Sequence, residues 1–288
     1  MERETSRSFC LPYNTCMSTK RQILLTNDDG ILSPGLWAAA RALAPLGFVT
    51  VAAPREQSSG AGRSLPSTSD GLISQETVQV HGREWQAYSV GGTPAQAVLH
   101  AVLEIMPVPP DLLVSGINYG ENVATGITIS GTVGAALEAA SLGIRSIAVS
   151  VETRRDLHLS YSTEVDFSTA AHFTALFSAL LLDHGLPAGV DLLKVDVPSD
   201  ATPATAWEWT RLSRQRYYLP TKPQRASWDI PGSVGYELAP RLEAEPEDTD
   251  VYCLLKKRRV SVTPISLDLT APVSAADLEK FFSQRTTE

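Results

Sequence analysis

The sequence predicts an α/β fold: a Rossmann-like, mostly parallel sheet over residues 21–200, then a smaller irregular C-terminal part over 201–288. Short apolar runs at 23–25, 48–52, 112–114, 146–151 and 192–197 alternate with helix-length stretches. That order needs parallel strands joined by crossover helices. The runs are mostly apolar, and continuously so at 23–25 and 112–114, as in strands covered on both faces. Near Pro198 the character changes: Pro, Arg, Trp and Tyr become frequent and periodicity weakens.

In order along the chain, residues 23–25 read as the first strand, and 35–46 as a helix stopped by Gly47. Residues 48–52 read as a second strand ending at Pro54. Thr93-Pro94-Ala95-Gln96 has the form of a capping box, with Thr93 as N-cap and Pro94 in the first turn, opening a helix that runs to about Met106. The strand at 112–114 ends in Ser115-Gly116-Ile117-Asn118. A helix is predicted over 131–142, a strand over 146–151, a long apolar helix over 165–183 and a strand over 192–197. Residues 251–265 carry β-like patterning around Lys256-Lys257-Arg258-Arg259. Ser274 to Asp277 caps a final amphipathic helix bearing Leu278, Phe281 and Phe282.

The chain has 288 residues, 43% hydrophobic and 19% charged, with a formal net charge of -8. An acidic surface repels polyanions, so an extended nucleic-acid groove is excluded, while a small anion remains admissible where a cation neutralises it. Cys10, Cys16 and Cys253 form no CxxC pair and one must remain unpaired. Residues 1–20 mix charge, Ser, Thr and Pro without an apolar segment, read as a disordered extension, and lack a secretion signal. A reducing cytoplasm is expected, with no membrane partner, since no stretch is apolar for long enough to span a bilayer.

The segment that carries chemistry is Thr26-Asn27-Asp28-Asp29-Gly30, directly after the first strand. Adjacent carboxylates repel, and a divalent cation converts that repulsion into coordination. A DD-Gly turn by itself reads as a turn. In an open parallel sheet, however, ligands bind beyond the carboxyl ends of the strands. Ser58 and Ser59 follow the second strand, Asn118 follows the strand at 112–114, and Ser130-Gly131-Thr132 open a helix. Carboxylate, amide and hydroxyl oxygens are hard donors that suit Mg²⁺ or Mn²⁺. A helix start offers unpaired N–H groups to an anion. Together they point to metal-assisted hydrolysis of a phosphate ester.

The segments ILLTNDDG, PREQSSGAG, GGTPAQAV, LLVSGINYGEN and ISGTVGAALEAASLGI, in this order over roughly 22–200, with VSVTPISLDLTA near the end, resemble the SurE family of survival-protein 5'/3'-nucleotidases. The resemblance implies a metal-dependent phosphomonoesterase acting on nucleoside 5'- and 3'-monophosphates. It implies one divalent ion per subunit (Mg²⁺ or Mn²⁺, with Co²⁺ a further candidate) on Asp28, Asp29, Ser59 and Asn118. Asn27, Asn122, Ser130, Gly131 and Thr132 fall on its polar and phosphate-contacting positions. It also implies a C-terminal hairpin and helix exchanged between subunits in a homodimer or homotetramer. One of Asp28 and Asp29 would manage the proton; a covalent phospho-aspartate is the rival mechanism.

Ile129 before Ser130-Gly131-Thr132, and Gln96 and Ala97 after Pro94-Ala95, depart from the family pattern. They motivate a second expectation, a nucleotide-binding module without turnover; a short-chain exopolyphosphatase is a third. The five histidines show no metal spacing. Arg211, Arg214, Arg216, Tyr217 and Tyr218 read as a surface loop, with contact to a nucleotide as the alternative, Trp207 and Trp209 as one sheet face, and the Lys256–Arg259 run as a solvated hairpin edge or subunit contact.

Overall fold

The computed structural model describes residues 20–283 except 81, 159, 160, 163 and 240–243. The expected extension up to residue 19, with Cys10 and Cys16, and His81 lie outside the described residues.

A nine-stranded sheet forms the centre. Its parallel strands are β1 (Gln22–Thr26), β2 (Phe48–Pro54), β4 (Arg83–Val90), β5 (Leu112–Tyr119), β6 (Ser146–Val151) and β7 (Leu192–Val197). Across the sheet they run in the order β4-β2-β1-β5-β6-β7. The strand β3 (Ile73–Val80) pairs antiparallel with β4 at one edge. This hairpin has no counterpart in the sequence reading; its half-exposed, alternating residues are those of an edge, where no continuous apolar run is required.

Helix α1 (Pro34–Leu43) packs with α4 (Ser168–His184) on one face, and α2 (Pro94–His100) with α3 (Gly131–Ser141) on the other. Alternate strand residues serve the two layers: Ile23, Leu25, Leu112, Val114 and Val149 join Leu36, Phe173 and Phe177, while Leu24, Leu113 and Ala148 join Val98, Val133 and Ala136. That two-sided burial is why these strands read as mostly apolar runs. The capping box at α2 is present, with the Thr93 side chain accepting from the Gln96 N–H and the Gln96 side chain from the Thr93 N–H. The helix continues as a π-helical turn over Ala101–Ile105 and ends at Met106.

The change of character near residue 200 is not an edge of the sheet. Strand β11 (Val260–Ile265) pairs antiparallel with β7, and β8 (Trp207–Trp209) pairs parallel with β11. A separate two-stranded sheet joins β9 (Tyr218–Thr221) to β10 (Gly235–Leu238). The β-like reading of 251–265 holds only for its second half. Residues Asp250–Leu255 form helix α5, because Thr249 caps it and Val251, Cys253 and Leu254 turn inward. The basic run after α5 is an ion-pair cluster within the chain: Lys257 and Arg259 meet Glu208, while Arg258 bridges Glu152 and Asp200, each at 2.6 Å. Trp207 and Trp209 share a face, their rings 5.3 Å apart. The last helix, α6 (Ala275–Ser283), is capped by Ser274 and has no buried residue. No helix among the described residues is long and apolar enough to cross a membrane.

Candidate active site

The crossover from β1 passes through α1 on one face, and the crossover from β5 passes through α3 on the other. The two strands are neighbours, so a crevice opens beyond their carboxyl ends, the place where such sheets bind ligands. The Asp28-Asp29 turn is at that crevice. Gly30 takes a φ of +95°, which side-chain-bearing residues rarely adopt. The Asn27 amide is spent on the turn itself: Oδ1 accepts from the Gly30 N–H at 3.2 Å and Nδ2 donates to the Gly30 carbonyl at 3.0 Å. Asn27, expected among the polar and phosphate-contacting positions, has its side-chain amide engaged in shaping the loop.

Asp28 and Asp29 are both buried. Asp28 Oδ1 accepts from the Thr132 hydroxyl at 2.5 Å. Asp29 accepts from the Tyr119 N–H at 3.3 Å and from Gln57 Nε2 at 3.2 Å, and its carbonyl accepts from the Tyr161 hydroxyl at 2.8 Å. Burial raises the Asp28 carboxyl above its usual range, against the Thr132 hydroxyl and the nearby amides of Gly131 and Thr132, which favour its charge. Burial and then the neighbouring Asp28 charge push Asp29 up further. Two buried acids side by side thus lack a compensating positive charge.

The start of α3 serves this carboxylate directly. A side chain at Gly131 would bring a Cβ within 2.7 Å of Asp28 Cβ and 2.9 Å of Asp28 Oδ2. Gly131 is therefore required for close approach, and buried Thr132 is an anchor for Asp28 rather than a phosphate contact. Ser130 caps the helix by accepting from the Val133 N–H at 3.1 Å and remains on the cavity wall.

A cavity of about 410 Å³ brings together Asp28, Ser59, Asn118, Asn122 and Ser130. A bulge between Ser115 and Asn118 in β5 re-aims the strand end. The Asn118 Nδ2 donates to the carbonyls of Tyr119 and Gly120, which leaves its Oδ1 without a protein partner among the hydrogen bonds described. Asn122 is fixed by its N–H to Asp196 Oδ1 and its Nδ2 to Ser150 Oγ, both at 2.8 Å. Asp29 does not line the cavity but adjoins it through Asp28. Among the described residues no three His, Cys, Asp or Glu side chains cluster as a metal site. The donors here are instead two carboxylates, an amide oxygen and a hydroxyl, a set that fits a hard divalent cation that keeps some of its waters.

The other half of the cavity was not legible beforehand. Glu121, His158, Arg216, Tyr218 and Tyr236 line it. Of the expected surface loop, Arg211, Arg214 and Arg216 are exposed, but its end turns inward: the Tyr217 and Tyr218 hydroxyls donate to Glu121 Oε1 at 2.8 and 2.9 Å. His158 pairs with the Tyr236 hydroxyl at 3.0 Å and stacks on its ring, and burial lowers its pKa. The run Arg216-Tyr217-Tyr218 offered the signal in the sequence; His158 from a loop and Tyr236 from β10 are brought in from far away along the chain.

Behind the cavity lies a fully buried charge cluster. Lys194 Nζ contacts Asp196 Oδ2, and Asp250 Oδ2 at 3.3 Å. Asp250 also accepts from the N–H groups of Ala124, Ser213 and Val251, each at 2.9 Å. The cluster therefore fixes both sides of the loop that carries Asn122.

A Rossmann-like α/β sheet with a carboxylate-floored cavity beyond neighbouring strand ends defines the class: an α/β protein with a ligand cavity at its switch point. The family described as Survival protein SurE matches residues 23–219, and the chain belongs to the SurE family. Proteins named 5'-nucleotidase SurE are similar to it: that of Thermococcus gammatolerans is 47% identical, with 90% of this chain and 94% of the relative covered. The one from Methanosarcina barkeri is 40% identical, with 90% and 97% covered. The crystal structure of the Sure protein from Aquifex aeolicus matches with a TM-score of 0.70 at 30% identity, covering 92% of this chain and 99% of that one.

Proposed function

We propose that the chain is a 5'-nucleotidase that hydrolyses nucleoside monophosphates to nucleoside and phosphate, with one Mg²⁺ or Mn²⁺ held by Asp28, Asp29, Ser59 and Asn118. The observation that carries this reading is the buried Asp28 carboxylate on the same cavity wall as Asn118, with the buried Asp29 carboxylate directly adjoining it. The names of the relatives support the substrate class.

The cation, when bound, offsets the charge of the two acids and the phosphate and polarises the P–O bond. Ser130 and Asn122 are placed to brace phosphate oxygens, with the N-terminal end of α3 behind them. Thr132 and Gly131 keep the Asp28 carboxylate oriented. Water adds to phosphorus, its proton passes to the carboxylate pair, and the ester P–O electron pair leaves on the nucleoside oxygen, which takes up a proton. The exposed apolar residues of the C-terminal arm, Leu269, Leu278, Phe281 and Phe282, suit contact with a second copy in a homodimer or homotetramer. The buried, unpaired Cys253 is in keeping with a reducing cytoplasm.

The test strips the protein with chelator and assays phosphate release from 5'- and 3'-nucleotides and short polyphosphate, with Mg²⁺, Mn²⁺ or Co²⁺ restored. Metal-dependent release from 5'-nucleotides, abolished by Asp28→Asn, is expected. Metal-independent release, or full activity in the variant, defeats the reading. Single-turnover hydrolysis in ¹⁸O water separates the mechanisms, since label in an aspartate side chain would require a phospho-aspartate.

A further inference from the structure

We propose that Glu121 selects the leaving group, its Oε2 accepting a hydrogen bond from the 2'-hydroxyl or the base amino group of a nucleoside packed against Tyr218 and Tyr236. This rests on the phosphatase reading of the same cavity and adds how the alcohol half of the substrate is recognised.

Glu121 is 5% exposed, yet it lines the cavity that holds Asp28 and Asn118. Its Oε1 is supplied by two hydroxyl donors, Tyr217 and Tyr218. Its Oε2 is buried and has no hydrogen-bond partner among the described residues. Nearly all buried polar atoms are partnered, and an unpartnered carboxylate oxygen is costly, so this atom calls for a donor. Both tyrosine hydroxyls are spent on Oε1, which ties that oxygen down and leaves Oε2 as the unpartnered one among the described residues.

The cavity is also divided by chemistry. Asp28, Asn118 and Ser130 occupy the end suited to cation and phosphate, while Tyr218, Tyr236 and His158 form an aromatic wall around the other. A cation bound at Asp28 would draw the phosphate to that end and leave the neutral, donor-bearing end of the substrate to Glu121, Tyr218 and Tyr236, with the exposed Arg216 on the same cavity wall. A planar ring with hydroxyl and N–H donors, linked to one phosphate, satisfies both ends; a simple alkyl or aryl phosphate satisfies only one.

The experiment measures kcat/KM of the metal-loaded full chain for adenosine 5'-monophosphate, its 2'-deoxy analogue, purine riboside 5'-monophosphate and p-nitrophenyl phosphate, in wild type and Glu121→Gln. The expected result is a loss in the variant about tenfold greater for adenosine monophosphate than for p-nitrophenyl phosphate. In the wild type, a similar loss on one analogue identifies the donor: the 2'-deoxy compound reports the sugar hydroxyl and purine riboside the base amine. In the variant that analogue no longer differs from adenosine monophosphate. Equal losses on all four substrates would make Glu121 a scaffold for the tyrosines only and overturn the proposal. So would wild-type rates indifferent to both analogues, a result that needs no variant to fold. Hydrolysis of p-nitrophenyl phosphate with no preference for nucleotides sinks this inference alone, whereas no metal-dependent hydrolysis of any substrate sinks the phosphatase reading beneath it.

Discussion

The hydroxyl of Thr132 donates to Asp28 Oδ1 at 2.5 Å, joining the first residue pair after β1 to the first turn of α3, 104 positions later. The bond fixes one oxygen of a carboxylate that is itself pressed against the Gly131 backbone. Partners that orient a metal-ligating carboxylate are commonly worth as much to the site as the ligand's own placement.

Replacing Thr132 by Val keeps the shape and removes the donor. The expected outcome is metal binding weakened about tenfold, with a matching fall in activity at limiting metal. Titration calorimetry with Mn²⁺ alone checks the affinity without reference to turnover; unchanged affinity would make Thr132 a helix residue and nothing more.

Lys194 is the single cation in a cluster with Asp196 and Asp250, all fully buried. Lys194→Met leaves the acids without it, and breaking a buried pair in this way costs about 3–5 kcal/mol. Urea unfolding reads the stability. Activity is expected to fall as well, because Asp196 and Asp250 hold the N–H groups of Asn122 and Ala124. A stable, fully active variant would show that the loop keeps its shape unaided.

Burial pushes the Asp196 carboxyl up to about 6, with Lys194 and the Asn122 N–H acting against it. An unfolded aspartate titrates near about 4. Between these values the folded chain retains a proton that the unfolded chain has released. The contribution of Asp196 to stability therefore falls as pH rises through that window, and is flat above it. Asp196→Asn removes the titration, so the unfolding free energy of the wild type should drop relative to the variant from about pH 4 to about pH 6. Parallel pH profiles would exclude Asp196 as the titrating group.

Much of this molecule follows from short-range pattern. The runs around Leu24 and Leu113 had to be two-sided strands because nothing in them is polar, and the Thr93–Gln96 box had to open a helix. The β3–β4 hairpin escaped because an edge strand needs only one apolar side. Residues 250–255 escaped because a six-residue helix carries less than two turns of periodicity, and the strand that follows dominates the pattern.

The candidate site divides in the same way. Asp28 and Asp29 stand just beyond β1, Asn118 in the last paired residues of β5 past its bulge, and Ser130 at the start of α3, so their position at one edge of the sheet is largely written in the sequence. The chain alone determined an α/β sheet with two acids at its switch point. Only the tertiary structure decided what each group does there. It spent Asn27 on the Gly30 turn and Thr132 on Asp28, and it folded Tyr218, Tyr236 and His158 over Glu121. Those assignments depend on which polar atoms find partners after burial, and contacts between loops far apart in the chain settle that through geometry that no local pattern encodes.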